Sequence, residues 1–287
     1  MKKIEKIKNI AVCPKCKNSF RYEEGRAMCA NCKAEFICTD ERIELYAYDT
    51  YEADEKDSLV FSVKSMLKKF PRLYKFLLYA VGPPQVSMSA KQFLRGYSNE
   101  TIILNIGSGS KSIRPDVIDV DMYPYSNVNF LSDALAIPIR DNSVDAIVCE
   151  SLIEHLKEPR RLVGEMHRIL KPGGKIYIIA PFMLGFHSSP NDFYRWTDQG
   201  LMQLFGVFKD KRVSSFYGPT SALTFLLGEW LAILFSFNIR PLYNFWILVS
   251  MVMQFFLTPI QWLDYAIARY PYAKNISYGF SLVAKKE

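Results

Sequence analysis

"CPKCKNSFRYEEGRAMCANC" carries four thiols as two Cys-x-x-Cys pairs, Cys13 with Cys16 and Cys29 with Cys32. Thiolates at that spacing, a hairpin's length apart, converge on a tetrahedral site, which is the geometry Zn²⁺ prefers. Four sulfurs leave no open position, so the ion is expected to be structural. A module of about forty residues buries too little apolar surface to fold alone, and metal supplies the missing stability. Cys38 lies outside the pattern and reads as packing. A second chemical cluster is "FHSSPNDFYRWT", which gathers His187, Asp192, Tyr194 and Arg195 within nine residues. His187 can serve as a base for an oxygen acceptor, with Asp192 and Arg195 beside it. The alternative for the latter two is an ion pair that only locks the loop. His155, in "LIEHL", is the other candidate base, unless it only shapes the pocket. His167 lies inside a helical pattern and reads as structural.

These side chains must be carried by a sheet. "TIILNIG", "VIDVD" (117–121), "VNFLSD" (128–133), "VDAIVCES" (144–151) and "KIYIIAPF" (175–182) read as five strands. "EPRRLVGEMHRIL" (158–170) has helical period, with "KPGG" as its stop. Thr197 is placed to cap a further helix. Apolar strands alternating with short connections, some of them helical, indicate a parallel sheet covered on both faces. Ligands of such sheets bind beyond the carboxyl ends of the strands. That sets Gly107, Asp121, Asp133 and Glu150–Ser151 along one rim. Gly107 and Gly109 let the backbone approach a ligand. Asp121 can take both hydroxyls of a ribose, and Asp133 can accept from an adenine amino group.

"LNIGSGS", "VIDVDMYP", "SDALAIPIRDNSVDAIVCESLIEHL" and "RILKPGGKIYIIAPF" resemble the successive motifs of class I S-adenosylmethionine-dependent methyltransferases. The likeness covers about residues 100–216 and resumes at "YGFSLVAKK". It implies an α/β fold: a Rossmann-like, mostly parallel sheet of seven strands, the seventh antiparallel. It also implies a methyl donor, S-adenosylmethionine, bordered by Asn105, Gly107, Ser108, Gly109, Asp121, Met122, Asp133, Ala134 and Glu150. One departure is the crossover "SGSKSIRP", where the family has a full helix. The third glycine of the dinucleotide fingerprint is missing too, which argues against a nicotinamide or flavin enzyme. The front segment resembles the zinc ribbons that accompany some methyltransferases. The His187–Thr197 stretch resembles the His-x-x-Pro-x-Asp-x-x-Arg-aromatic-Thr run of methyltransferases from surface-polysaccharide gene clusters. That resemblance implies a glycan or lipid-linked sugar as acceptor.

The chain has 287 residues, 49% hydrophobic and 23% charged, which excludes a disordered chain. The net charge of +7 is only mildly basic and does not call for nucleic acid as a partner. No apolar leader follows Met1-Lys2-Lys3, so export is not expected and the thiols are expected reduced. The organisation reads as a zinc ribbon (1–48), then a linker and basic amphipathic helices (49–99). A methyltransferase domain (100–218 and 275–287) is interrupted by an apolar helical insertion (219–274). Residues 40–58 read as polar linker. The helix over 59–79 presents Lys64, Lys68, Lys69, Arg72 and Lys75 opposite an apolar side, suited equally to a membrane surface or to packing on the domain with a solvated basic face.

"PTSALTFLLGEWLAILFSFNI" and "PLYNFWILVSMVMQFFLTPIQWL" each approach bilayer thickness. Both flanks belong to one sheet, so a single span is impossible. A hairpin turning at Arg240-Pro241, or a segment lying flat in the interface, is expected on the inner face of the cell membrane. The alternative is a helical subdomain over the active site. Two rival functions stand beside the glycan reading. One is an RNA or protein methyltransferase that uses the ribbon for its substrate. The other is a non-catalytic membrane adaptor with a degenerate donor fold.

Overall fold

The computed structural model describes residues 2–46, 70, 82–187 and 191–287. The basic helix expected over 59–79 lies outside the described residues, apart from Phe70. The core is one sheet of eleven strands in the order β1-β2-β3-β4-β7-β6-β5-β8-β9-β11-β10. Its central part comprises β5 (Ile103–Ile106), β6 (Ile118–Asp121), β7 (Phe130–Leu131), β8 (Val144–Glu150), β9 (Leu170–Pro181), β10 (Lys209–Tyr217) and β11 (Gly279–Lys285). Strands β5 to β9 run parallel, while β11 runs antiparallel to both β9 and β10. All four residues of β5 are buried, as expected of a strand covered on both faces.

The sheet is wider than the seven strands expected, because the N-terminal segment adds four. These are β1 (Phe20–Glu23), β2 (Arg26–Cys29), β3 (Glu35–Cys38) and β4 (Ile43–Glu44). The last pairs parallel with β7, Ile43 against Phe130 and Glu44 against Leu131. The start of the stretch read as linker is therefore a strand. Two residues between Arg42 and Leu45 carry no periodic signal, and only the partner at β7 makes them a strand. Helix α1 (Lys3–Ile10) buries Ile4, Ile7 and Ile10 in the same core as Ile106, Ile118 and Ile147. Its Lys6 is fully buried and donates to the carbonyls of Asn99 (2.5 Å) and Thr101 (2.8 Å), while burial lowers its pKa. The N-terminal segment is thus clamped to the sheet both by backbone pairing and by a buried cation.

On the opposite face a short helix, α2 (Ala90–Phe93), starts in a capping box between Ser89 and Gln92. It stacks Phe93 on Tyr177 of β9 at 5.5 Å. No helix connects β5 to β6. Arg114 pins that loop through two 2.6 Å bonds to Asp116 and one of 2.7 Å to the carbonyl of Leu94. Helix α3 (Pro159–Ile169) joins β8 to β9, and α4 (Asp198–Leu204) begins where Thr197 Oγ1 accepts from the Gly200 amide.

Between β10 and β11 stand two long helices, α5 (Pro219–Ser236) and α6 (Arg240–Gln261). At a rise of about 1.5 Å per residue each is long enough to cross a bilayer core. They turn at Phe237 and Asn238, both in the left-handed region, just ahead of the expected Arg240-Pro241. The pair is built inside out. Small and polar residues lie within: Ser221, Thr224 and Gly228 of α5 meet Gln254, Thr258 and Gln261 of α6. Gln254 donates to the Thr224 carbonyl (2.7 Å), and Gln261 donates to Thr224 Oγ1 (2.8 Å) and Gln254 Oε1 (2.9 Å). Among the described residues, Leu223, Trp230, Ile233, Val252 and Phe256 face outward. Asp264 closes the base, accepting from the amides of Thr220 (2.8 Å) and Ser221 (2.9 Å).

Candidate donor and acceptor site

The donor side of the rim is assembled by the ends of β5, β6 and β7. Gly107 (φ 70°) and Gly109 (φ 52°) both take left-handed backbone, so the chain leaves β5 in a corner that side chains resist. A Cβ on Gly107 would stand 2.8 Å from Leu152, whereas Gly109 borders open space. Asp121, at the tip of β6, ties the corner down. Its Oδ2 accepts from the Gly109 amide at 2.7 Å and its Oδ1 from the Tyr123 amide at 3.0 Å. Burial raises the Asp121 pKa, and these amides oppose the shift. The Asp121 carbonyl accepts from Ser132, which sets Asp133 on the adjoining strand tip. Asp133 Oδ1 accepts from the Leu135 amide at 2.8 Å. Glu150 ends β8, and its pKa is also raised by burial, with Lys111 working against it.

The expected rim residues Gly107, Ser108, Gly109, Asp121, Met122, Asp133, Ala134 and Glu150 therefore share one edge. Asn105 is different: its side chain turns inward, donating to Asp119 (2.9 Å) and to the Lys111 carbonyl (3.3 Å). It buttresses the corner from within.

The acceptor side is built from two loops. A 3₁₀ turn, Ile153–His155, follows β8, and the segment after β9 brings His187 onto it. The two imidazoles meet edge to face with centroids 5.1 Å apart. The Phe193 amide bonds the Glu154 carbonyl at 2.8 Å, and Tyr194 Oη donates to the Lys157 carbonyl at 3.0 Å, zipping the loops together. Arg195 forks onto Asp192 (2.5 and 2.6 Å) and donates to the carbonyls of Leu184 (2.8 Å) and Gly185 (2.7 Å). Burial pushes the Asp192 pKa up, but Arg195 outweighs it and holds it below the usual carboxylate value. With its fork and Nε committed to the loop, Arg195 is a clasp, and Asp192 is its counterpart. His155 and His187 remain the groups that face the rim.

Sequence reasoning passed over Glu154. It is fully buried, and neither carboxyl oxygen has a hydrogen-bond partner among the described residues. The only signal was an acid directly before a histidine at a strand end. Beside this cluster runs a groove of about 500 Å³ lined by Lys157, Arg160, Arg161, Tyr194 and Trp196, among others. The rings of Tyr194 and Trp196 lie tilted, 5.1 Å apart, beside its three cations.

The four ribbon thiols also converge. Cys13 and Cys32 lie 3.6 Å apart, Cys16 and Cys29 3.3 Å apart, and all four sulfurs fall within 4.8 Å of one another. A tetrahedral ion with Zn–S bonds near 2.3 Å needs sulfurs roughly 3.8 Å apart, so the set fits a metal. The two knuckles repeat one geometry. Lys17 and Lys33 take positive φ, and their amides bond back to the carbonyls of Cys13 and Cys29.

In the central sheet the strands follow the order 3-2-1-4-5-7-6, with the seventh reversed. With a glycine corner and acidic strand tips, this is the arrangement of class I S-adenosylmethionine-dependent methyltransferases. Residues 113–178 match a family described as a methyltransferase domain. Demethylmenaquinone methyltransferase of Renibacterium salmoninarum is 39% identical over 57 residues, 20% of this chain and 24% of that protein. The tRNA (carboxymethyluridine(34)-5-O)-methyltransferase ALKBH8 of Macaca fascicularis is 26% identical over 184 residues, 57% of this chain and 27% of that protein. The chain thus spans about a quarter of the length of these curated relatives. Among solved structures, a phosphoethanolamine N-methyltransferase of Haemonchus contortus aligns at 16% identity and TM-score 0.40, over 73% of this chain and 51% of that one. A Thermotoga maritima S-adenosylmethionine-dependent methyltransferase aligns at 15% and 0.44, over 78% and 97%. The strand order, not these likenesses, defines the fold.

Proposed function

We propose that the protein is an S-adenosylmethionine-dependent methyltransferase that O-methylates a glycan or lipid-linked saccharide at the cytoplasmic face of the cell membrane. The carrying observation is the tie between Asp121 and the glycine corner, with Asp133 on the next strand tip. The donor supplies a methyl group on a sulfonium. Around it, Gly107 and Gly109 admit the backbone closely, Asp121 takes ribose hydroxyls, and Asp133 takes the adenine amino group. Holding donor and acceptor in line is the main catalytic contribution such a site makes. Zn²⁺ in the four ribbon thiolates is structural.

The inside-out hairpin supports membrane association. Outward apolar and inward polar side chains are costly in water and natural in lipid. The middle of α5 adjoins the acceptor loop, since a side chain at Gly185 would come within 3.9 Å of Glu229, about halfway along that helix. A lipid-borne acceptor would thus be delivered to His155 and His187. A second reading, transfer to a ring carbon of a quinone, is favoured by the names of two curated relatives. Quinones are also lipid-borne, so the hairpin serves either.

The test is to incubate the detergent-solubilised protein with methyl-labelled donor and a membrane lipid extract. The expected result is label in the lipid phase that mild acid releases as a methylated sugar. Label that stays in a quinone would replace the sugar with the second reading. Label in added tRNA, or none with any acceptor, would refute the proposal.

A further inference from the structure

The buried carboxyl of Glu154 has no role in the account so far. Its Oε1 lies 3.8 Å from Nε2 of His155 and 3.8 Å from Nε2 of His187. That gap is too long for a hydrogen bond. Ligand atoms of the three residues fall within 4.8 Å of one another.

The outer nitrogens decide which ring atoms are free. His155 Nδ1 is 2.5 Å from the Asn191 carbonyl, an acceptor, so Nδ1 carries the proton and Nε2 bears a lone pair. His187 Nδ1 faces the Gly185 carbonyl (3.4 Å) and Asp192 Oδ2 (3.5 Å). Arg195 Nη2 also approaches it at 3.5 Å, but that guanidinium is already spent on Asp192 and Gly185. With two acceptors at Nδ1 and the Arg195 hydrogens engaged elsewhere, the contacts favour the same tautomer, with Nε2 bare. Two lone pairs and a carboxyl therefore face one point with no hydrogen bond among them. Each imidazole has its far nitrogen held by oxygen, as metal-ligating histidines do.

We propose that Glu154, His155 and His187 form a second metal site, taking one divalent first-row transition ion through two imidazole nitrogens and one carboxylate. Bonds of about 2.1 Å from each ligand fit in the 3.8 Å gaps. Two nitrogens and one oxygen suit such an ion and disfavour both the soft-ion chemistry of the thiol site and the all-oxygen chemistry of calcium. Three protein ligands leave positions open, and the side chain of His187 is partly exposed. The open positions take an oxygen of the acceptor, a step that rests on the methyltransferase reading. A bound ion of this kind lowers the pKa of a coordinated water or hydroxyl toward neutrality. That favours a hydroxyl acceptor over a ring carbon. His155 and His187 become ligands and not bases.

Cobalt is the probe. The full chain, its thiols filled with Zn²⁺, is titrated with Co²⁺ and followed by calorimetry and visible absorption. The expected result is one further equivalent of Co²⁺ with nitrogen–oxygen ligation and no thiolate charge-transfer band. Glu154→Gln and His187→Ala should each weaken that uptake at least tenfold, while S-adenosylhomocysteine affinity stays at wild type. His187→Ala decides the matter if Glu154→Gln fails to fold. No Co²⁺ beyond the thiol site, or uptake unchanged in His187→Ala, overturns the proposal. Absence of S-adenosylhomocysteine binding by the wild type would sink the methyltransferase reading instead, and the cobalt titration would still stand on its own.

Discussion

Replacing Asp121 tests the donor site most directly. Its carboxylate is engaged by two backbone amides, Gly109 at 2.7 Å and Tyr123 at 3.0 Å. Each oxygen retains a lone pair for a ribose hydroxyl. Charge-assisted hydrogen bonds contribute about 1.5–3 kcal/mol apiece. Two of them at the low end amount to about 3 kcal/mol, or roughly 150-fold in Kd. Asp121→Ala should weaken S-adenosylhomocysteine binding by about that factor. Asp121→Asn should be nearly as harmful, because one end of the amide must present N–H against the N–H of Gly109 or Tyr123. The fold should survive both changes. Burial raises the Asp121 pKa, so its contribution to stability is greatest below the unfolded pKa and falls as pH rises through the folded value. In its ionised form it costs stability, and that charge is there for the ligand. By the same shift, wild-type affinity should begin to fall at less acidic pH than an ordinary aspartate would give. Calorimetry across pH 7 to 4.5, with thermal melts as the folding control, measures all of this. Wild-type affinity in Asp121→Ala, with the fold intact, would refute the reasoning.

Cys13→Ser should lose the ribbon metal by elemental analysis. It should also raise hydrogen exchange at Ile43 and Leu45, whose amides donate to the Asn129 and Leu131 carbonyls at the β7 edge; unchanged exchange would refute the coupling of the thiol site to the sheet. Arg195→Ala leaves the buried Asp192 carboxylate unpaired, which costs about 3 kcal/mol and lowers Tm by about 6–10 °C at pH 7. Arg195 depresses the Asp192 pKa, so this contribution is present above the unfolded carboxylate value and lost as pH falls through the lower folded one. The difference in Tm between wild type and variant should therefore shrink in acid, and a difference independent of pH would refute the clasp.

What was legible in the sequence was whatever repeats or alternates locally. Strand β8 was placed to within a residue because Val144, Ala146 and Val148 are flanked by turn signals, and helix α3 because its apolar residues recur at helical spacing. Gly107, Asp121 and Asp133 were found because each sits at the end of such a run. The two-residue strand β4 was not, since its partner β7 lies more than eighty residues away. Asn105 was placed on the donor because its position beside the glycine corner says nothing of the direction of its side chain; the buried Asp119 draws it inward. Glu154 was missed for a related reason. An acid beside a histidine is ordinary until burial removes water from it, and burial is a property of the assembled loops.

The order of strands separates the roles of the two appendages. The ribbon extends the sheet at the β1 end, and the hairpin interrupts the chain at the β10–β11 end. The thiol site therefore lies far along the sheet from the two long helices, and its link to the rim runs through β4, β7 and the Asp133 tip. The hairpin has a shorter route. Asp264 fixes the start of α5, Glu229 of α5 stands beside Gly185, where an added Cβ would meet it at 3.9 Å, and Gly185 is held by the same Arg195 that clasps the His187 loop. On the proposed membrane reading, a hairpin seated in a bilayer would set the height of His187 relative to the membrane. On the same reading, an acceptor anchored in that bilayer would share the same reference plane, and one element would position both it and the rim.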